Sequence, residues 1–223
     1  MTVILMLAMF AIFLTIEYFR TRKEVPHTAE EREEAATLSP RMLPSFVAGF
    51  ELPDNRRYHP GHTWALQESP TLVRVGIDDF GARLAGKVDG LVLPKRGQWL
   101  RQGQKFATII REGQRTDLVS PIEGEVTNVN EALTVNTSLL NTNPYGEGWL
   151  VSMISPDLQI GFRNLLNGSL ARKWMADAAS RLQARMPALA GAVAQDGGPA
   201  VHDLTAQLPM EKWSEITREF FLT

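Results

Sequence analysis

The sequence contains no cysteine, which excludes disulfides, thiolate metal sites and a cysteine nucleophile. Histidine is nearly as scarce: of four, His27 and His202 lie far along the chain from His59 and His62. Two ligands fall short of the three or four that a structural or catalytic metal normally requires, so no metal is expected. Charge of one sign is also missing. Lys and Arg total 23 against 25 Asp and Glu, a net charge of −2, which gives no electrostatic case for nucleic acid as a partner. No glycine loop opens a helix in the manner that cradles a nucleotide phosphate. Asp78 and Asp79 fall at a helix start, Glu123 and Glu125 flank a strand turn, and Ser120 has no histidine beside it in sequence. No enzyme activity is expected from these residues.

What the chain does have, at its start, is one long apolar run. Residues 1–16 carry almost no polar side chain, and counted to Phe19 a helix of that length spans about 27 Å, close to a bilayer's hydrocarbon thickness of about 30 Å. Arg20, Arg22 and Lys23 follow the run instead of preceding it. That order disfavours a cleaved signal peptide and, by the positive-inside rule, predicts a single-pass anchor in the inner (cytoplasmic) membrane with the body of the protein on the cytoplasmic side. The expected division is an anchor with its basic flank over residues 1–22, a tether over 23–56, a β domain over 57–175 and a helical extension over 176–223. Four prolines, Pro26, Pro40, Pro44 and Pro53, interrupt the tether, in which Thr28 to Glu31 fits a capping box for one short helix. Residues 46–50 add a strand or pack on the domain edge.

Within the domain, short β-branched and apolar runs alternate with glycine and proline turns, which predicts a flattened β-sandwich or barrel. Strands are expected over residues 64–67, 72–77, 86–93, 124–129 and 149–154, with a short helix over 78–84 capped by Asp78. The stretch that decides function is 106–121. Residues 106–110 are β-branched and apolar, 111–116 are polar, and Leu118-Val119 restarts the apolar pattern before Ser120-Pro121. A β-hairpin follows, with Gly113 at its tip supplying the positive φ of a tight turn.

Several motifs in order resemble the H protein of the glycine cleavage system: His62-Thr63-Trp64, Val75-Gly76-Ile77-Asp78-Asp79-Phe80, Leu84-Ala85-Gly86, Leu93-Pro94 with Gly97, then Ser120-Pro121-Ile122-Glu123-Gly124 and Asn143-Pro144-Tyr145-Gly146. The resemblance covers roughly residues 58 to 175. It implies a lipoyl-type fold, mainly β with some helix, whose hairpin tip carries a lysine joined to lipoic acid in that family. In this sequence the position is Gly113, reached without a gap from Asp117-Leu118. Arg111 and Arg115 flank it, and a guanidinium stays protonated and is a poor nucleophile for acylation. The resemblance therefore implies the fold but no lipoate, and no other cofactor is expected.

Beyond the resemblance, Leu170, Trp174, Ala178, Leu182 and Met186 recur at one-turn intervals until Pro187, and an Ala/Gly-rich stretch follows over 188–200. Residues 209–223 then place Met210, Trp213, Ile216, Phe220 and Phe221 on one helical face. This face either packs on its own domain or lies in a partner's groove, so Trp213, Ile216, Phe220 and Phe221, with Arg111 and Arg115 beside the tip, are the candidate partner contacts. The favoured reading is a non-catalytic, lipoyl-free H-like module anchored in the membrane as a structural or docking subunit of a membrane complex. One alternative is a carrier or regulator that still docks with glycine cleavage or lipoate-handling enzymes. Another is a membrane-fusion adaptor of a transporter, disfavoured because no long helical hairpin interrupts the domain.

Overall fold

The computed structural model describes residues 45–186, 203–206 and 208–223. A small hairpin pairs β1 (Phe46–Val47) with β2 (Phe50–Glu51). The main sheet has six antiparallel strands in the order β3-β4-β5-β11-β10-β7, and a second sheet has three in the order β6-β8-β9. The first contains β3 (Arg57–His59), β4 (Thr63–Gln67), β5 (Leu72–Ile77), β7 (Trp99–Leu100), β10 (Gly124–Val129) and β11 (Val151–Ile154). The second contains β6 (Gly90–Val92), β8 (Lys105–Arg111) and β9 (Gln114–Val119).

Alternation explains which side faces inward. Val73, Val75 and Ile77 of β5, Val126 of β10 and Met153 of β11 are fully buried, as are Ile109 and Leu118 of the second sheet. Helix α1 (Asp79–Ala85) is buried along its whole length and begins at Asp78, whose carboxylate accepts from the Gly81 amide at 2.7 Å. The same carboxylate lies 2.9 Å from Nδ1 of the buried His62, and the His62 ring stacks on Phe80 with centroids 4.2 Å apart. Trp64 donates through Nε1 to the Ile77 carbonyl at 2.8 Å and so satisfies its polar atom inside the core. The entry motif is structural.

Two one-turn helices that were not expected, α2 (Ala132–Val135) and α3 (Leu139–Thr142), precede β11, and α4 (Leu158–Arg163), α5 (Gly168–Arg185) and α6 (Met210–Phe221) follow it. No helix among the described residues is long and apolar enough to cross a membrane. The expected fold class, a transmembrane helix followed by a mainly β barrel or sandwich, is therefore corrected to a mixed β/α fold around a half-barrel sheet. The segment expected to cross the membrane, residues 1–19, lies outside the described residues, as do the short tether helix near 28–36 and the Ala/Gly-rich stretch over 188–200.

Two further details differ from expectation. The strand expected over 86–93 shortens to β6, because Gly86 caps α1 with φ 65° and its amide donates to the Ala82 carbonyl. On α5 the buried face runs through Ala171, Met175, Ala178 and Leu182, while Leu170 stays 59% exposed, so the face is turned one residue from the expected stripe. The hairpin keeps the tight turn expected at Gly113, as described next.

Candidate functional site

The hairpin of β8 and β9 keeps pairing to Arg111 opposite Gln114, leaving only Glu112 and Gly113 in the loop. Both have positive φ, 47° and 78°, which is the mark of the type I′ turn whose twist matches the strands it joins. Glycine suits such a site. For Glu112, an L residue with a Cβ, the unusual conformation is held by its own amide, which donates to Asp89 Oδ2 at 2.6 Å. A Cβ built on Gly113 would meet nothing within 4 Å, so the tip stands in open space.

Arg111, a candidate partner contact, is taken up inside this chain. It sits on the inner side of β8 in alternation with Ala107 and Ile109 and is buried. Its Nη1 donates to the Ala85 carbonyl at 3.1 Å and to Thr205 Oγ1, and its Nη2 lies 3.3 Å from Asp203 Oδ2. The guanidinium passes directly over the end of α1. A Cβ on Gly86 would crowd Arg111 Nη1, and its φ of 65° is a backbone that L side chains rarely adopt, so glycine suits the position. Arg111 is therefore a latch between the hairpin, the end of α1 and the chain leading into α6.

The aromatic face expected to engage either this domain or a partner is taken up by this domain. Trp213 and Phe221 are wholly buried, Phe220 is 1% exposed and Ile216 is 7% exposed. Trp213 Nε1 donates to the Leu84 carbonyl at 3.2 Å, and the Phe220 ring lies 5.2 Å from that of Phe80. Helix α6 lies along β9 and against α1. Gly61 permits the approach, since a Cβ there would meet Val119 Cγ2 at 2.8 Å and the Phe221 carbonyl at 3.0 Å. From α5, Arg181 sits over the Phe220 ring at 5.2 Å and Arg185 pairs with Glu219 at 2.8 Å. Trp213, Ile216, Phe220 and Phe221 are thus corrected from candidate partner contacts to core residues.

Arg115 is exposed, as expected, and lines a cavity of about 510 Å³ with Lys105, Thr108, Thr116, Asp117, Arg218 and Thr223. Burial alone would raise the Asp117 carboxyl, but the Thr108 hydroxyl at 2.7 Å, the Lys105 ammonium at 3.1 Å and the charge of Arg218 outweigh it and hold the group below the usual carboxylate value. Sequence reasoning missed Asp89, Asp203, Thr205 and Arg218. For Arg111 a signal was present, since two-residue alternation from Ala107 and Ile109 already points it inward. Asp203 and Thr205 lie more than 90 positions from Arg111, and no local pattern announces them.

The family model described as Glycine cleavage H-protein matches residues 56–177. A probable glycine cleavage system H protein 2 of Sulfurisphaera tokodaii is 36% identical over 110 residues, covering 48% of this chain and 74% of the relative. The glycine cleavage system H protein of Thermus thermophilus is 34% identical over 109 residues, covering 49% of this chain and 84% of the relative. A crystal structure of an H protein from Mycobacterium marinum has 26% identity and a TM-score of 0.49, covering 56% of this chain and 98% of that one. With an H-protein match over residues 56–177, on the two sheets and the hairpin just described, this chain belongs to the glycine cleavage H-protein family.

Proposed function

We propose that this chain is a lipoyl-free member of its family that acts as a non-catalytic docking subunit. One observation carries the reading. The hairpin tip, where the resemblance calls for a lipoyl lysine, is the two-residue turn Glu112-Gly113, and neither residue offers an amine. Lys105 stands at the far end of β8, six residues from Arg111, roughly 20 Å away at the rise of an extended strand. Lys87 is exposed beside the end of α1 and is not on a turn of that kind. What the domain retains is a rigid scaffold, with α6 and the Arg111 latch tying the hairpin to the body. Such a scaffold suits holding other proteins, those of glycine cleavage among them, better than swinging a group between them.

Intact mass and peptide mapping of the chain from its native host test the reading, together with affinity isolation of the proteins that accompany it. The expected result is an unmodified mass and protein partners retained in stable proportion. A lipoyl amide on any lysine, Lys87 and Lys105 included, overturns it.

A further inference from the structure

A cavity of about 180 Å³ opens where the turn before β10 meets the start of α4, and its wall carries the exposed carboxylates Glu123 and Asp157 with Pro156 and Ile160 as the apolar part. No lysine, arginine or histidine is in that wall, and among the described residues neither carboxylate has an ion pair. Glu123 accepts from Trp99 Nε1 at 3.3 Å. The space is held in shape from both sides. Gly124 packs against the backbone of Ile154 and Ser155, where a Cβ would crowd the Ile154 carbonyl, and this close approach sets Glu123 beside the chain entering α4. Gln102, also in the wall, donates through Nε2 to the Pro121 and Gly161 carbonyls at 2.8 and 2.9 Å and accepts from Asn164 at 2.7 Å.

Ser155 adds an independent sign. The residue is only 3% exposed, and the surface it keeps is in this wall; its hydroxyl is not closed off, yet has no hydrogen-bond partner among the described residues. Buried hydroxyls are nearly always bonded, so this one has room for a donor from outside. Beside the cavity, Trp99, Glu125 and Ile154 stand in register across β7, β10 and β11, and all three are exposed. Trp99 is 48% exposed although β7 is the margin of its sheet, so the apolar row runs to the edge of the molecule's open face.

We propose that this face docks a basic segment of a partner protein, with an arginine side chain entering the cavity between Glu123 and Asp157 and the segment's apolar residues covering Trp99 and Ile154. Two carboxylates and an unpaired hydroxyl supply acceptors and no cation, which suits the fanned donors of a guanidinium better than a compact ammonium. The volume fits one long side chain and falls short of the roughly 300 Å³ at which small-molecule sites begin. The apolar row beside it then favours a peptide over free arginine. This site gives the docking role proposed above a partner chemistry, and rests on that role.

The probe is a short acetylated and amidated peptide alternating arginine and leucine, titrated calorimetrically into the full chain, with its lysine and glutamate counterparts and free arginine in parallel arms. Saturable binding of the arginine peptide is expected, weaker for the lysine peptide and free arginine, absent for the glutamate peptide, and falling as salt rises. Glu123→Gln with Asp157→Asn should weaken it by about tenfold or more, and Trp99→Ala by a similar factor, whereas Glu211→Gln, an exposed carboxylate on α6 outside this face, should leave it unchanged. Ser155→Ala separates binding from folding: it breaks no side-chain bond of the free chain, so the unfolding temperature should stay in place while peptide affinity drops severalfold. No saturation, equal binding of the lysine or glutamate peptide, or full affinity in the doubly substituted chain with unchanged circular dichroism overturns the proposal. Any of these in a chain of unmodified mass that still retains its partners overturns this site alone and leaves the docking role standing.

Discussion

Replacing Gly113 with lysine puts the amine back where the resemblance places it and tests whether the scaffold still presents it. The backbone there has φ 78°, a conformation that costs an L side chain about 1–2 kcal/mol. Nothing within 4 Å meets the new Cβ, so no packing penalty is added. The expected destabilisation is therefore that backbone cost alone, a fall of roughly 2–8 °C in Tm for a domain of this size. Urea unfolding measures it, and incubation with a lipoate ligase, lipoate and ATP followed by intact mass reports acylation. Gly113→Lys should gain one lipoyl group and the native chain none. Glu112→Lys, which leaves Gly113 in its turn, should gain far less, because its side chain leaves the hairpin one residue out of register. A folded Gly113→Lys chain that stays unmodified would refute the claim that the turn retains a carrier's presentation. A loss of more than about 4 kcal/mol would refute the claim of open space.

Trp213→Ala should destabilise by about 3–5 kcal/mol in urea unfolding, the cost of truncating a wholly buried aromatic, and a loss below about 1 kcal/mol would return α6 to the role of a partner-binding appendage. Arg111→Ala removes donors from the Ala85 carbonyl, Thr205 and Asp203, and should cost about 1.5–3 kcal/mol while increasing amide exchange around Thr205 ahead of the rest of the domain. Burial, with the neighbouring His62 second, lowers the pKa of His59, whose Nδ1 accepts from the Gly61 amide at 3.0 Å. The unfolded chain therefore binds more protons, so stability is full above about pH 6.5 and falls as pH drops below it. His59→Asn keeps an acceptor without a titrating ring and should flatten the stability profile between pH 7 and 5; an unchanged slope would assign that dependence elsewhere.

Much of this architecture was written locally in the residues. The cap at Asp78 and the hairpin with its glycine tip each follow from a few neighbouring side chains. Where the reading slipped, the deciding contact was distant. Amphipathicity placed Trp213, Ile216, Phe220 and Phe221 on one face correctly, but a helical stripe carries no label saying which surface will cover it. That answer came from the Leu84 carbonyl and Phe80, more than 120 positions away. Leu170 failed for a related reason: on α5 the small residues Ala171, Ala178 and Ala179 allow close approach, and they outrank a larger side chain one position away.

Helix α6 has one more effect, on how copies of the chain treat one another. β9 ends its sheet, and a strand with unpaired amides and carbonyls on its outer side is a template on which another molecule can continue the sheet. Laid along that margin, α6 makes the hairpin self-terminating. Removing residues 210–223 should therefore do more than loosen the domain: it should bare that margin of β9 and let copies join edge to edge, visible against the full chain as added concentration-dependent growth in light scattering.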